Sequence, residues 1–380
     1  MQYNLKKELA RNYKGLKKEQ RLPEWKEEFR QIMKDGHLTG TDWPLKEQFM
    51  MLVDGGRDMV LDRNDFRSMN VSEAVSTADF ANVNGQIVYN EVMKGYTNEV
   101  FISQELQTTV PTDLNGEKIG GATNIGDDAG VVSEGMPFPE VGISEDFIET
   151  PMTDKYGLIV SVTKEAIFFD RTMQVLKNAS DVGKAIGIRK EKRSLSTILG
   201  ITNSYNRRSV AIDSYGNSSG VHDWDNLSAS TALQDWTDLD AVWQLLAAVT
   251  DPNTGEPILN IPSQIIIPPA LRDTIKRVLN ATHVEATTNT SNVTRSGSPN
   301  DPYQWYTSQY VTSVGGSSTT WFMGNFREAF RYMENWPMTV TSQQAGATAE
   351  FERDILVRHK ASERGSPAVY DPRLVAKATA

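Results

Sequence analysis

The sequence predicts an α+β fold carrying one long polar excursion, and three observations predict it. Residues 156–163 (YGLIVSVT) form a β-branched, half-alternating strand that runs directly into a long helical pattern. Residues 264–267 read as a short buried strand, and the prolines after it sit where a helix start tolerates the missing N–H. Residues 112–150, by contrast, are glycine-punctuated and too poor in apolar side chains to form a core of their own.

Composition sets the limits. A chain of 380 residues, 39% hydrophobic and 23% charged, has material for a substantial core in two lobes or one elaborated fold. It contains no cysteine, which excludes disulfides, thiolate metal sites and a cysteine nucleophile. No apolar run reaches the roughly 18–20 residues of a membrane span, and the first residues lack the apolar segment of a secretory signal. A soluble chain, cytosolic at synthesis and without a membrane partner, is expected.

The charge of −10 is uneven: residues 1–35 carry ten bases against six acids, a net +4, leaving −14 for the remainder. An acidic body disfavours tight general binding to nucleic acid, because phosphates are repelled. The basic start reads as a solvated helix of mixed charge or as a contact to DNA or an acidic partner.

In chain order, Leu5, Leu9, Tyr13 and Leu16 recur at helical spacing, as do Trp25, Phe29 and Ile32 after the break at Leu22-Pro23. Thr41-Asp42 ahead of Pro44 signals a third helix with Leu45, Phe49 and Leu52 on one face, ended by Asp54-Gly55-Gly56. Such thin amphipathic helices suit an arm laid against another surface. A helix is expected around residues 86–95, then the excursion, with short strand-like pieces such as 130–133. A long helix is expected from about 164 to 199, with Val175, Ala179, Val182 and Ile186 on its apolar face and Thr163 or Asp170 capping its parts. Its run Arg189, Lys190, Glu191, Lys192, Arg193 reads as an outward charged stripe. Residues 201–235 are turn-rich, 238–249 and 270–279 are helical, and 284–302 form a polar loop. Strands are expected at 309–314, 320–324, 338–341 and 351–360.

Catalytic patterns are weak. Gly216-Asn217-Ser218-Ser219-Gly220 matches a nucleophile-elbow spacing, but the residues after it begin no apolar-faced helix, so a surface turn is the better reading of Ser218. His37, His222, His283 and His359 lie far apart with no metal-ligand spacing, and Asp127-Asp128 lacks the alternating carboxylates of a calcium loop. No cofactor, metal or enzymatic activity is expected.

Residues 130–200 carry a specific resemblance. The block Glu134-Gly135-Met136-Pro137-Phe138-Pro139-Glu140, then the strand, then Thr163-Lys164-Glu165-Ala166-Ile167, resembles phage major head subunits of the Hong Kong 97 fold, near the Mu-like prophage group. The flanks 80–96, 321–337 and 351–378 agree, the last containing the family's recurring Asp-Pro element, so the resemblance covers residues 75–380. It implies an α+β capsid fold divided into a helical N-terminal extension (1–75), an N-arm (76–111), an extended E-loop hairpin (112–155) and a P-domain with a long spine helix (156–235). An A-domain (236–340) and strands returning to the P-domain (341–380) complete it.

The resemblance further implies a major capsid protein that self-assembles as homo-pentamers and homo-hexamers into an icosahedral head enclosing double-stranded DNA. Portal and possibly scaffolding, protease or decoration proteins would be partners, the mature location the virion, and the place of assembly the host cytoplasm. Subunit contacts are expected from Lys118, Asp127, Asp128, Glu134, Phe138 and Glu140 in the E-loop. Arg189, Lys190, Arg193, Glu352 and Arg353 would serve on the spine helix and P-domain, and Trp25, Phe29, Lys6 and Lys7 on an inner-face arm. Some relatives cross-link an E-loop lysine to a neighbour's asparagine. Lys118 is the candidate here, and a plain solvated lysine is the competing reading. An encapsulin-like shell housing cargo enzymes shares the fold, and a hydrolase using Ser218 is the alternative from another class.

Overall fold

A computed structural model describes residues 44–46, 74–97, 100–120, 132, 147–169, 171–202, 205–217, 224–251, 255–280, 303–344 and 353–380. The arm helices expected before residue 44 and the strand-like piece at 130–133, apart from Val132, lie outside them. In order, the elements are α1 (Ala74–Tyr96), α2 (Ser103–Leu106), β1 (Thr108–Pro111), β2 (Lys118–Gly120), β3 (Phe147–Glu149), β4 (Asp154–Thr163), α3 (Lys164–Phe168) and α4 (Thr172–Ile198). There follow β5 (Tyr205–Arg207), β6 (Val210–Ile212), β7 (Leu227–Ser228), α5 (Trp236–Ala247), β8 (Gln264–Ile267), α6 (Arg272–Asn280) and β9 (Gln304–Thr307). The remainder is α7 (Gln309–Gly315), β10 (Trp321–Gly324), α8 (Phe326–Ala329), β11 (Phe330–Gln344), β12 (Ile355–Val369) and β13 (Val375–Ala378).

The chain gathers into two compact units: Met1–Asn98 with Lys155–Ile188 and Pro337–Glu363, and Glu99–Asp154 with Arg189–Trp336 and Arg364–Ala380. The helix α4 and the strands β11 and β12 contribute residues to both. Each half of α4 buries its apolar stripe in a different core.

In the first unit, α1 places Val88, Val92 and Tyr96 one turn apart, and these pack on Ala179 and Ile186 of α4, with Met338 and Ala361 beneath. The two helices approach closely because both carry glycine at the crossing. A Cβ on Gly183 would lie 2.0 Å from the Val92 carbonyl oxygen, and one on Gly95 would lie 2.1 Å from that of Ser180. Beside the helices the strands run in the order β11-β12-β4. Buried polar groups tie helix and sheet: Tyr96 Oη donates to Glu363 Oε2 at 2.6 Å, and His359 Nδ1 lies 2.9 Å from Ser342 Oγ.

The second unit is a sheet with cores on both faces. Its strands run β7-β13-β10-β8-β9, with Phe322 of β10 opposite Ile266 of β8. Strand periodicity sends Ile265 and Ile267 to one face, against Leu239, Val242 and Leu246 of α5 and Ile275 of α6. It sends Ile266 and Phe322 to the other, against Leu195, Ile198 and Leu199 of α4 and Phe326 and Phe330. Both faces are covered, so β8 reads as a continuous apolar run. Its loops are held by Asn226, which is buried and donates to the carbonyls of Ser214 (2.8 Å), Pro372 (2.9 Å) and Val375 (3.1 Å). The Asp-Pro element is a second tie. Asp371 caps the short 3-10 turn after it, and Arg373 reaches both Asp371 (2.8 Å) and buried Asp251 (3.0 Å). Burial by itself would weaken the guanidinium's hold on its proton, but these two carboxylates outweigh that and keep it charged.

Three expectations need correction. The helix from 164 is two helices. Thr163 caps α3, accepting from Ala166 N–H at 3.2 Å, but Arg171 N–H then reaches back to the Ala166 carbonyl and ends it. Residues 309–314 are the helix α7 rather than a strand: Ser308 accepts from Tyr310 N–H at its start, and Gly316, at φ +69°, takes the left-handed position at its end. The last strands are longer than expected, at 330–344 and 355–369, because the mixed polar stretches that mask their alternation are buried or paired in the sheet.

Two predictions follow from the first unit. Gly183→Ala should destabilise it by about 1–3 kcal/mol, since backbone cannot yield as a side chain would, whereas Gly120→Ala, with open space around it, should be near neutral. Thermal melts of the two variants check this. His359 is 1% exposed, and burial pushes its imidazole from 6.5 down to about 4. Between these values the unfolded chain binds a proton that the folded chain refuses. Stability is therefore lost as pH falls from 6.5 to 4, by up to roughly 3 kcal/mol. Denaturant titrations at pH 7 and pH 4.5 should show a smaller pH loss in His359→Gln than in the parent.

Candidate subunit-contact surface

The excursion is rooted in the second unit by its own polar residues. Asn115 Oδ1 accepts from the backbone N–H of Thr153 (2.9 Å) and from its hydroxyl (3.1 Å). Thr150 and Glu117 bond each other: Thr150 N–H donates to the Glu117 carbonyl (2.9 Å), and Glu117 N–H donates to Thr150 Oγ1 (2.8 Å). Strand β2 then pairs with β3, Lys118 opposite Glu149 and Gly120 opposite Phe147, and β3 continues into β5 and β6. Ile148 is buried in the core, so the hairpin's base is fixed although its strands are three residues long.

Lys118 completes this root. Its Nζ lies 3.0 Å from Glu149 Oε1 and 4.7 Å from the centre of the Phe147 ring. Hydrogen bonds from Lys118 and then Ser209 hold the Glu149 carboxyl below its usual range. Asp127, Asp128, Glu134, Phe138 and Glu140 lie outside the described residues.

The charged run on α4 is divided by the helical period rather than facing out as one stripe. Glu191 turns inward, 1% exposed, and accepts the backbone N–H groups of Ile102 (3.0 Å) and Ser103 (3.1 Å). Burial raises its carboxyl above the ordinary range, partly offset by these bonds. Lys190 is half-buried, its Nζ 3.9 Å from Glu334 and 4.1 Å above the Tyr332 ring. Arg193 donates to Asp154 (3.0 Å), the Gly365 carbonyl (3.2 Å) and Ser366 Oγ (3.3 Å). Arg189 and Lys192 are exposed. Together Arg189, Lys192, Arg193 and Asp154 line a cleft of about 600 Å³, walled in part by Met152 and Ile201. Those two side chains are 73% and 52% exposed, an unusual apolar share for a charged cleft.

In the first unit, Arg353 is exposed next to Asp354, whose carboxylate lies 4.0 Å from Lys164 Nζ. Glu352, Trp25, Phe29, Lys6, Lys7 and Ser218 lie outside the described residues. The structure thus brings Arg189 and Arg193 to one cleft and commits Lys190 to an internal pair. Sequence reasoning missed Asp154, Met152 and Ile201 as cleft residues, because nothing local to them signals proximity to α4. It also missed the inward role of Glu191, which the 100° step between helical residues could have suggested. Among the described residues, no cluster of histidines and carboxylates could hold a metal ion, and no helix is long and apolar enough to cross a membrane.

Comparison with known proteins identifies the class. The family model described as phage capsid protein matches residues 147–378. A solved structure of Mycobacterium phage Bobi is similar at 14% identity, with 74% of this chain and 91% of that one covered and a TM-score of 0.46. The capsid of a native GTA particle is similar at 13% identity, covering 74% and 90%, also with a TM-score of 0.46. A virus-like particle from Pyrococcus furiosus shares 8% identity over 77% and 97%, with a TM-score of 0.41. No curated protein matches.

The family model spans more than half of the chain, and the chain therefore belongs to the phage capsid protein family. It is a phage capsid shell protein, located in the virion capsid and assembling with itself. Its role is structural rather than enzymatic, which leaves the hydrolase reading of Ser218 less supported.

Glu191 yields the prediction here. Glu191→Ala leaves two buried N–H groups without an acceptor and should cost about 2–4 kcal/mol in urea unfolding. Lys184→Ala, at an exposed position of the same helix, should fall within about 0.5 kcal/mol of the parent.

Proposed function

We propose that copies of this chain form homo-pentamers and homo-hexamers that close into an icosahedral head around double-stranded DNA. The contact that builds these rings lays residues 121–146 of one copy on the α4 cleft of the next. One observation carries this reading. That segment contains Asp127, Asp128, Glu134, Glu140, Glu145 and Asp146 and no base, while the cleft's described lining includes Arg189, Lys192 and Arg193 and the acid Asp154. The segment's Met136 and Phe138 match the exposed Met152 and Ile201. A polar hairpin without its own core becomes stable when a neighbour covers it, and obligate interfaces bury on the order of 2,000–5,000 Å².

In this reading, Lys118 acts at the root of the hairpin through Glu149 and needs no covalent cross-link. Glu352 and Arg353 add a contact from the first unit. The arm lies on the inner side, held by Trp25 and Phe29, with Lys6 and Lys7 towards the DNA. The acidic body repels phosphate, so enclosed DNA is not gripped. Assembly takes place in the host cytoplasm, with portal and scaffolding, protease or decoration proteins as partners.

The test keeps the hairpin's base and removes its tip. Replacing residues 121–146 by Asn-Gly, a two-residue hairpin turn, should give a folded, soluble subunit that forms no shells in electron micrographs. Normal particles from that variant would overturn the proposed contact. Mass spectrometry of purified parent particles should find phage DNA and no cargo enzyme.

A further inference from the structure

Residues 44–46 are the described part of the chain before α1, and they are anchored. Leu45 is 2% exposed, and its backbone N–H donates to Thr172 Oγ1 at 2.8 Å. Thr172 is itself buried and opens α4. At Leu45 the chain therefore lies beside the first turn of α4.

Two large apolar side chains stand in solvent at this same turn, Phe169 at 62% and Met173 at 67% exposure. Phe168 meets the Phe169 ring edge-on at 5.1 Å, and the Arg171 guanidinium lies 5.6 Å from its centre. Lys177, one turn beyond Met173 on the same helix face, is exposed, as is Arg171. The apolar centre thus has Arg171 and Lys177 on the α4 side and the exposed Glu165 one turn before Phe169.

The segment before Pro44 has the complementary pattern. In residues 22–35 (LPEWKEEFRQIMKD), Trp25, Phe29 and Ile32 fall on one helical face, bordered on one side by Glu24 and Glu28. Between Ile32 and Pro44 lie eleven residues, including Gly36 and Gly40, which at about 3.3–3.6 Å per residue is ample for the chain to double back. A tether this short gives an effective concentration on the order of millimolar, which favours the chain's own segment over a free partner.

We propose that segment 22–35 docks on the first turn of α4 of its own chain. Trp25, Phe29 and Ile32 cover Phe169 and Met173, and Glu24 and Glu28 meet Arg171 and Lys177. This deepens the arm's place in the proposed shell and rests on that reading only for the arm being retained on the subunit. The Leu45 anchor brings the chain to within a short tether of this surface.

The absence of cysteine makes the test clean. Unassembled full-length chain carrying Glu28→Cys with Lys177→Cys is oxidised beside a chain carrying Glu27→Cys with Lys177→Cys, in which the first thiol is turned 100° around the helix. The first pair should form an intrachain disulfide at least tenfold faster, read by non-reducing gels and peptide mass spectrometry. Equal rates would overturn the proposal. So would links found only between chains, which would assign the surface to a second copy. As a second measurement, Met173→Glu should raise tryptic cleavage at Arg30 about tenfold while leaving the circular dichroism spectrum unchanged, and unaltered cleavage would count against docking. Neither readout involves shells, so its failure is distinguishable from failure of the ring contact.

Discussion

The second unit is arranged around the buried carboxylate of Glu191. A carboxylate removed from water is costly, and Glu191 offsets part of that cost by accepting the N–H groups of Ile102 and Ser103. That bond pair fixes the start of α2, which leads into β1 and then the root of the excursion. The same helix turn that sends Glu191 inward sends Arg189 and Lys192 outward to the cleft. Core and candidate contact surface are thus two faces of a single short sequence.

Around that charge the energetics are conventional. Apolar burial on both faces of the sheet supplies the driving force, with β8 and β10 fully buried and the C-terminal turns of α4 closing one side. Polar ties then select one loop arrangement among many. Asn226 and the Arg373 pair with Asp251 and Asp371 join segments more than a hundred residues apart. Removing one partner would strand the other in a low-dielectric interior, so these ties act more on specificity than on net stability.

The surface is built differently from the core. A shell subunit must fold alone yet keep surfaces that become stable only against copies of itself. Weak, screened charge pairing suits that requirement, because exposed ion pairs contribute about 0–1 kcal/mol each and many must form together. The acid-only segment 121–146, the cationic cleft and the exposed Met152 and Ile201 have this character.

The sequence by itself determined the elements whose signal is local. The strand at 154–163, the apolar stripe of α4, β8, α5 and the capping role of Thr163 are all legible in hydrophobic period and helix-start chemistry, as is the polar excursion. It also carried the family, through a long run of similar texture rather than a motif. Only the tertiary structure decided what depends on distant partners. The identity of α7 as a helix rests on Ser308 and Gly316 at its ends, a cue that the alternating residues between them obscure. The division of the run 189–193 rests on Ile102, Ser103, Glu334 and Tyr332 drawing some charges inward, and the cleft exists because Asp154 and Ser366 arrive beside Arg193. Period and caps act within a few residues and can be read along the chain. Burial of a charge is set by whichever segments fold against it, and no local pattern contains that information.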